Sequence, residues 1–150
     1  LKTTTIINKN KIMINEALTT ENKAIVRSFY EGGTNRDKKE YGAIFHPDFT
    51  VTAPRYLPWG GTSNLTDYLK EILPQVTAVL DFSRCAIISL IGENESVVIV
   101  IEIGLTGLFD TIKISEHWEF KEGKAISLWV AYFEALRLIA LIKENKLTTI

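Results

Sequence analysis

The stretch ISEHWEFKEGKAISLWVAY, residues 114 to 132, restricts the fold more than any other part of the chain. Two runs of alternating apolar and polar residues flank a turn, the pattern of a β-hairpin with one buried face. Lys121-Glu122-Gly123 suits a three-residue loop, with Gly123 at the position that needs a left-handed backbone. That loop sets Phe120 opposite Lys124, Trp118 opposite Ile126, Glu116 opposite Leu128, Ile114 opposite Val130 and Ile112 opposite Tyr132. These residues then share one face, apolar except for Lys124 beside the turn and Glu116 in the middle. A two-residue loop, Glu122-Gly123, is the competing register and brings Ser127 and Trp129 to the face of Glu116 instead. In the first register the Glu116 carboxyl loses its hydration. Without a partner its pKa rises towards the range of general acid or base work.

The 150 residues and 46% hydrophobic content fit one domain with a sizeable core. Seventeen basic against eighteen acidic residues give a net charge of −1, which leaves no electrostatic footprint for nucleic acid or an anionic membrane. A single cysteine, Cys85, makes no internal disulfide, and two distant histidines form no familiar zinc spacing with it. A cytoplasmic protein without metal or cofactor is the expectation. The longest apolar run, from Val97 to Leu105, is broken by Glu102 and falls short of the roughly 18 residues of a membrane span. Residues 1–19 lack the apolar centre of a signal peptide and read as a loose arm or an added edge strand, leaving 20–150 as the domain.

In the rest of the chain, Thr20-Glu21 reads as a helix start, and Ile25, Val26, Phe29 and Tyr30 recur at helical spacing up to Gly32-Gly33. Asp37 opens a second helix bearing Tyr41, Ile44 and Phe45, ended by His46-Pro47, with a brief strand at Thr50–Ala53. PRYLPWGGTS, residues 54–63, reads as a loop carrying Tyr56 and Trp59. Ser63 or Asn64 caps a third helix with Leu65, Tyr68, Leu69, Ile72 and Leu73, ended by Pro74. Strands follow over Leu80–Ile91 and Val97–Thr106, the latter with Val97, Ile99, Ile101, Ile103 and Leu105 inward and Glu102 outward. The hairpin comes next, and ALRLIALIKENK, residues 135–146, closes the chain as a helix. Three helices before a curved antiparallel sheet make an α+β domain whose conical hollow is a ligand site by default.

This order of elements resembles the cone fold of the nuclear-transport-factor-2-like superfamily, and more narrowly its SnoaL-like polyketide cyclase and ketosteroid isomerase relatives. The resemblance rests on FYEGGTNRD at 29–37, FHPDFTVTAP at 45–54, PWGG at 58–61 and EHWEFKEGKAISL at 116–128, and covers roughly Glu21 to Glu134. It implies a small apolar ligand, a cone-shaped sheet around three helices, and acid/base chemistry without a cofactor. The isomerases carry an aspartate base just before the proline that closes the first strand, where this chain has Ala53. Their helix-one tyrosine aligns with Phe29, with Tyr30 one residue away, about 100° round the helix. Their neutral carboxylic acid aligns with Glu116. The steroid-isomerase mechanism is therefore not expected, whereas a cyclase using one acid remains open.

Glu116 is the candidate catalytic residue, and its competing role is a structural carboxylate tied to Tyr30, Tyr132 or Arg55. Phe29, Tyr30, Tyr56, Trp59, Ile101, Ile103, Trp118, Leu128, Val130 and Tyr132 are the candidate ligand contacts, with Tyr56 and Trp59 at the mouth. His117 faces away from Glu116. Trp129 and Phe133, on the opposite sheet face, point to a homodimer through that face.

Overall fold

A computed structural model describes residues 2–33 and 35–148, and side-chain surroundings for 8–33 and 35–145. The first helix, α1, runs from Lys2 to Glu31. The expected arm or edge strand over 1–19 is thus helical wherever it is described. Its sequence carries no glycine or proline before Gly32, and Thr20, expected at the helix start, lies inside it together with Thr19. Their hydroxyls donate to the carbonyls of Asn15 and Glu16, so groups that otherwise compete with the helix are absorbed by it.

Asp37 caps α2 (Lys38–Ile44) by accepting from the Glu40 amide. The strand β1 (Phe45–Ala53) begins earlier than expected and includes His46 and Pro47. Proline is tolerated there because the pairing with β6 slips between Phe45 and Thr50, where no ladder bond is required of it. Residues 61–64, expected as loop, form β2 (Gly61–Asn64) against β1. Asn64 then caps the helical stretch α3 (Leu65–Asp67), a π-turn (Tyr68–Ile72) and α4 (Leu73–Val79). Pro74 does not end this stretch. The Leu73 amide reaches back to the Tyr68 carbonyl, and this widened turn lets a residue without an amide proton open the next segment.

Strands β3 (Leu80–Glu93), β4 (Ser96–Leu105), β5 (Thr111–Lys121) and β6 (Lys124–Tyr132) complete a six-stranded sheet in the order β2-β1-β6-β5-β4-β3. All pairs are antiparallel except β1 with β6. Register shifts in β3, one between Asp81 and Cys85 and one between Ile87 and Ser89, mark bulges that curve the sheet around the helices. The inward residues of β4 are 0 to 1% exposed, and Glu102 lies outward, accepting from Thr111. Arg84 is exposed on the outer face, where it lies across Gly104, pairs with Asp81 and donates to the Leu105 and Leu108 carbonyls. Helix α5 (Ala135–Thr148) buries Leu138, Leu141 and Ile142.

The hairpin β5–β6 corrects both expected registers. Its loop is the two-residue Glu122-Gly123, with φ of 54° and 77°. Lys121 pairs with Lys124 and Phe120 with Ala125, but Glu119 pairs with Ser127, so Ile126 is an extra residue on β6. This bulge shifts the pairing by one and restores the expected face: Trp118 lies opposite Leu128, Glu116 opposite Val130 and Ile114 opposite Tyr132. The short loop was the competitor, yet the set of side chains sharing the Glu116 face from Leu128 onward is the one the longer loop implied.

The tip of the β3–β4 hairpin is latched to α1. Buried Asn22 donates from Nδ2 to the Asn94 carbonyl at 2.9 Å, and Thr19 accepts from the Asn94 amide at 2.8 Å. Asn22→Ala removes the buried donor and leaves the Asn94 carbonyl unpaired, which costs about 1–3 kcal/mol. Urea denaturation should show this loss, and Thr19→Val should show a smaller one.

Candidate functional site

Glu116 sits in the middle of β5 with its side chain towards the helices. Across the sheet it faces Ile99 on β4 and Val130 on β6, and Trp118 follows it on the same face. The residue is half-buried, but Oε2 is closed off from solvent and has no hydrogen-bond partner among the described residues. Burial pushes the carboxyl from an ordinary value near 4.5 up to about 8, and a hydrogen bond from the Trp118 side chain only partly opposes this. No lysine or arginine among the described residues is paired with it. Arg55, one of the expected structural partners, is exposed. At neutral pH the group is therefore mainly a neutral acid that can donate a hydrogen bond.

The indole N–H of Trp118 also donates to the Tyr30 hydroxyl, at 3.3 Å. Tyr132 lies on the other side of the carboxyl. Its hydroxyl pKa is raised, first by burial and next by the nearby Glu116, while a hydrogen bond with Trp59 works the other way. Trp59 is 5% exposed and brings the 54–60 loop down over the open end of the cone. Gly60 makes this descent possible, since a Cβ there would stand 2.3 Å from the Pro54 carbonyl oxygen.

The expected contact residues divide into three groups. Trp118, Val130 and Tyr132 are neighbours of Glu116 on the sheet, Trp118 reaches the Tyr30 hydroxyl, and Tyr132 reaches Trp59. Phe29, Ile101, Ile103 and Leu128 are buried on the same face but farther off: Ile101 is opposite Ile114, and Ile103 is opposite Ile112, about 13 Å along the sheet from Ile99. Tyr56 is 52% exposed at the rim. Ile99, the nearest β4 side chain, belongs to the inward alternation of that strand and was legible there. His117 does face away, and its ring stacks on Trp129 with centroids 3.6 Å apart.

The narrow end of the cone is filled by rings. Trp118 meets Phe29, Tyr30 and Phe45 at centroid distances of 5.3, 6.3 and 6.1 Å, and Phe45 continues to Phe49 and Tyr68. Glu116 lies at the edge of this ring cluster. Among the described residues no group of histidine, cysteine, aspartate or glutamate is placed to hold a metal ion, and no helix is long and apolar enough to cross a membrane.

No protein-family model matches the sequence, and no curated protein matches it. Solved structures share its architecture. An NTF2-like protein of unknown function from Burkholderia pseudomallei superposes with a TM-score of 0.63 at 24% identity, over 79% of this chain and 97% of that one. TerC, co-crystallised with polyporic acid, gives 0.64 at 24% identity over 82% and 98%. A candidate ketosteroid isomerase from Kribbella flavida gives 0.61 at 15% identity over 77% and 80%. The chain has the nuclear-transport-factor-2-like fold, an α+β cone. Likeness at these identities fixes the architecture, and chemistry has to be argued from the residues themselves.

The raised carboxyl makes a signed prediction about stability. The folded protein holds a proton on Glu116 that the unfolded chain releases between about pH 4.5 and 8. Its contribution is therefore complete below pH 4.5 and is lost as pH rises towards 8, at up to about 1.4 kcal/mol per unit. Asp81, held low by Ser83 and Arg84, titrates below this window. Denaturation of Glu116→Gln across pH 5 to 8 should lack this slope; equal slopes in variant and parent would show that the carboxyl is not buried as described.

Proposed function

We propose that the chain binds a small, mainly apolar molecule in the cone, with Glu116 as the neutral acid that donates a hydrogen bond to the ligand's carbonyl or hydroxyl. The observation that carries this reading is the buried Oε2, which has no hydrogen-bond partner among the described residues and belongs to a carboxyl near Trp118 and Tyr132. A buried polar atom without a bond costs about 1–3 kcal/mol, and a ligand oxygen supplies the missing partner. The co-crystallisation of TerC with polyporic acid supports a cone of this fold accepting a small organic molecule.

Cofactor-free cyclisation or isomerisation is the catalytic form of this proposal, with the Glu116 proton delivered to a developing oxyanion. The steroid-isomerase mechanism is not part of it. Ala53 and Phe29 stand where the resemblance expects a base and a donor, and both are buried among apolar neighbours. The lone Cys85 and the balanced charge support a cytoplasmic setting.

Filled rings at the narrow end favour a second reading, in which the domain is a dimeric scaffold of the same fold. Ile88, Ile91, Trp129 and Phe133, between 47 and 70% exposed, offer the outer sheet face to a second copy.

Two variants separate these readings. Glu116→Gln keeps a donor of the same shape but cannot pass on a proton, so a catalyst loses turnover while a binder keeps its ligand. Glu116→Leu removes the donor and should weaken binding about tenfold, an effect of about 1.4 kcal/mol. Native mass spectrometry of the protein purified from its own host reads both, since a co-purified molecule should be present in the parent and depleted in Glu116→Leu. Equal occupancy in the two would sink the ligand reading. The same spectrum reports the dimer, which Trp129→Glu should convert to a monomer.

A further inference from the structure

Helix α1 outruns the domain it belongs to. The latch of Thr19 and Asn22 onto Asn94 holds it to the sheet, whereas every side chain from Asn8 to Ile14 is exposed and the helix continues to Lys2. This arm is made mostly of threonine, asparagine and isoleucine, none of them a strong helix former. An isolated helix shorter than roughly 12–15 residues is marginal in water, and more so with such a composition. Ile12, Met13 and Ile14 are 56, 66 and 67% exposed. The arm therefore needs a covering surface, and its own residues indicate which.

Lys9, Ile12, Met13, Glu16 and Thr20 are spaced so that three or four residues separate each from the next around one turn, which puts them on one face of the helix. A cavity of about 580 Å³ adjoins that face, walled by Ile12, Glu16 and Thr20 on the helix and by Gly92, Glu93 and Asn94 at the β3–β4 tip. Neither Lys9 nor Glu16 has an ion pair among the described residues. The face is self-complementary. A two-fold axis between positions 12 and 13 sets antiparallel helices with Lys9 against Glu16 of the second copy and Ile12 against its Met13, each contact made twice. Parallel helices in register oppose lysine to lysine and glutamate to glutamate, so the charges select the antiparallel arrangement.

We infer that two copies of the chain associate through this face of α1, antiparallel, with the second arm lying over the groove beside the β3–β4 tip. The contact is separate from the outer sheet face that carries Trp129. Two short helices bury less than the roughly 1,000 Å² of a standing interface, and exposed ion pairs add little. The association is thus weak, formed at high protein concentration and absent from dilute solution. Where the sheet faces also pair, the arms link one such dimer to the next.

Sedimentation velocity of the Trp129→Glu chain, whose sheet face is blocked, reads the arms by themselves. At submillimolar concentration and low salt the average mass should rise from that of a monomer towards twice that value. Lys9→Glu or Glu16→Lys, added singly, sets like charges against each other in the antiparallel pair and should weaken the association about tenfold. Mixed in equal amounts, the two variants carry opposite charges on this face and should associate again. The double variant Lys9→Glu/Glu16→Lys should match its parent, since the charges have only changed places. Both positions are exposed, and far-ultraviolet circular dichroism checks that the fold is kept. Should Trp129→Glu not fold, the same series in the unaltered chain is read as growth beyond its mass in dilute solution. A mass that does not rise with concentration overturns the pairing, as does a rise that the single reversals leave unchanged. Failure of both the mixture and the double variant to recover assigns the loss to the arm's own helix and overturns it equally.

Discussion

Everything in the cone depends on which face of β5 and β6 is buried. A slip of one residue would turn Ile114, Trp118 and Leu128 to solvent and bury His117, Glu119 and Ser127. Each large apolar side chain is worth about 1.5–3 kcal/mol when buried, so two or three of them outweigh the penalty of one carboxyl carried in with them. Glu116 is therefore inward because its neighbours insist on it, and the bulge at Ile126 is the local adjustment that reconciles a two-residue turn with that face. The carboxyl answers its surroundings by keeping a proton, the cheaper course when no cation is at hand.

The aromatic cluster gives this acid its particular setting. Phe29, Phe45 and Trp118 exclude water from one side, and Trp59 descends on the other with the 54–60 loop. The polar groups that remain are the Trp118 indole N–H, which donates to Tyr30, and the Tyr30 and Tyr132 hydroxyls. In a dry site such dipoles act at close to full strength, which is why a few fixed donors here count for more than many at the surface. The tight approach of Gly60 to Pro54 fixes the loop that brings Trp59 into this arrangement, so the lid and the carboxyl are parts of one packed unit.

Much of this was legible in the residues, and the exceptions have physical causes. Alternation along β4 and β5 gave their inward faces directly, because a period of two leaves little ambiguity once Trp118 and the isoleucines are assigned to the core. The hairpin register was not legible: a bulge leaves no mark in composition, and Ile126 looks like any other strand residue. The first nineteen residues lacked a helical stripe, and their threonines and asparagines suit turns as well as helices. Only the absence of glycine and proline there favoured one continuous helix. Pro74 read as a stop because a π-turn before it is equally silent in sequence. For the site, the shared face of Glu116, Trp118 and Tyr132 was legible from the hairpin, but the nearness of Tyr132 to Glu116 was not, because the expected register set Tyr132 opposite Ile112.

The fold by itself leaves the chemistry open, and the residues narrow it. One acid without a base beside it can deliver a proton to an oxygen, but any proton removed from carbon must return to the same carboxylate or be taken by the substrate. Such a site suits reactions in which one group gives and recovers a single proton, as in a tautomeric shift or an intramolecular ring closure, and suits poorly those that need two groups acting at once. Burial pushes the pKa up to about 8, so the protonated form, the hydrogen-bond donor, is the main one at neutrality. Binding alone would be served as well by a serine or an asparagine, neither of which carries the cost of a carboxyl stripped of water. The glutamate at this position is the residue on which the proposed proton transfer rests.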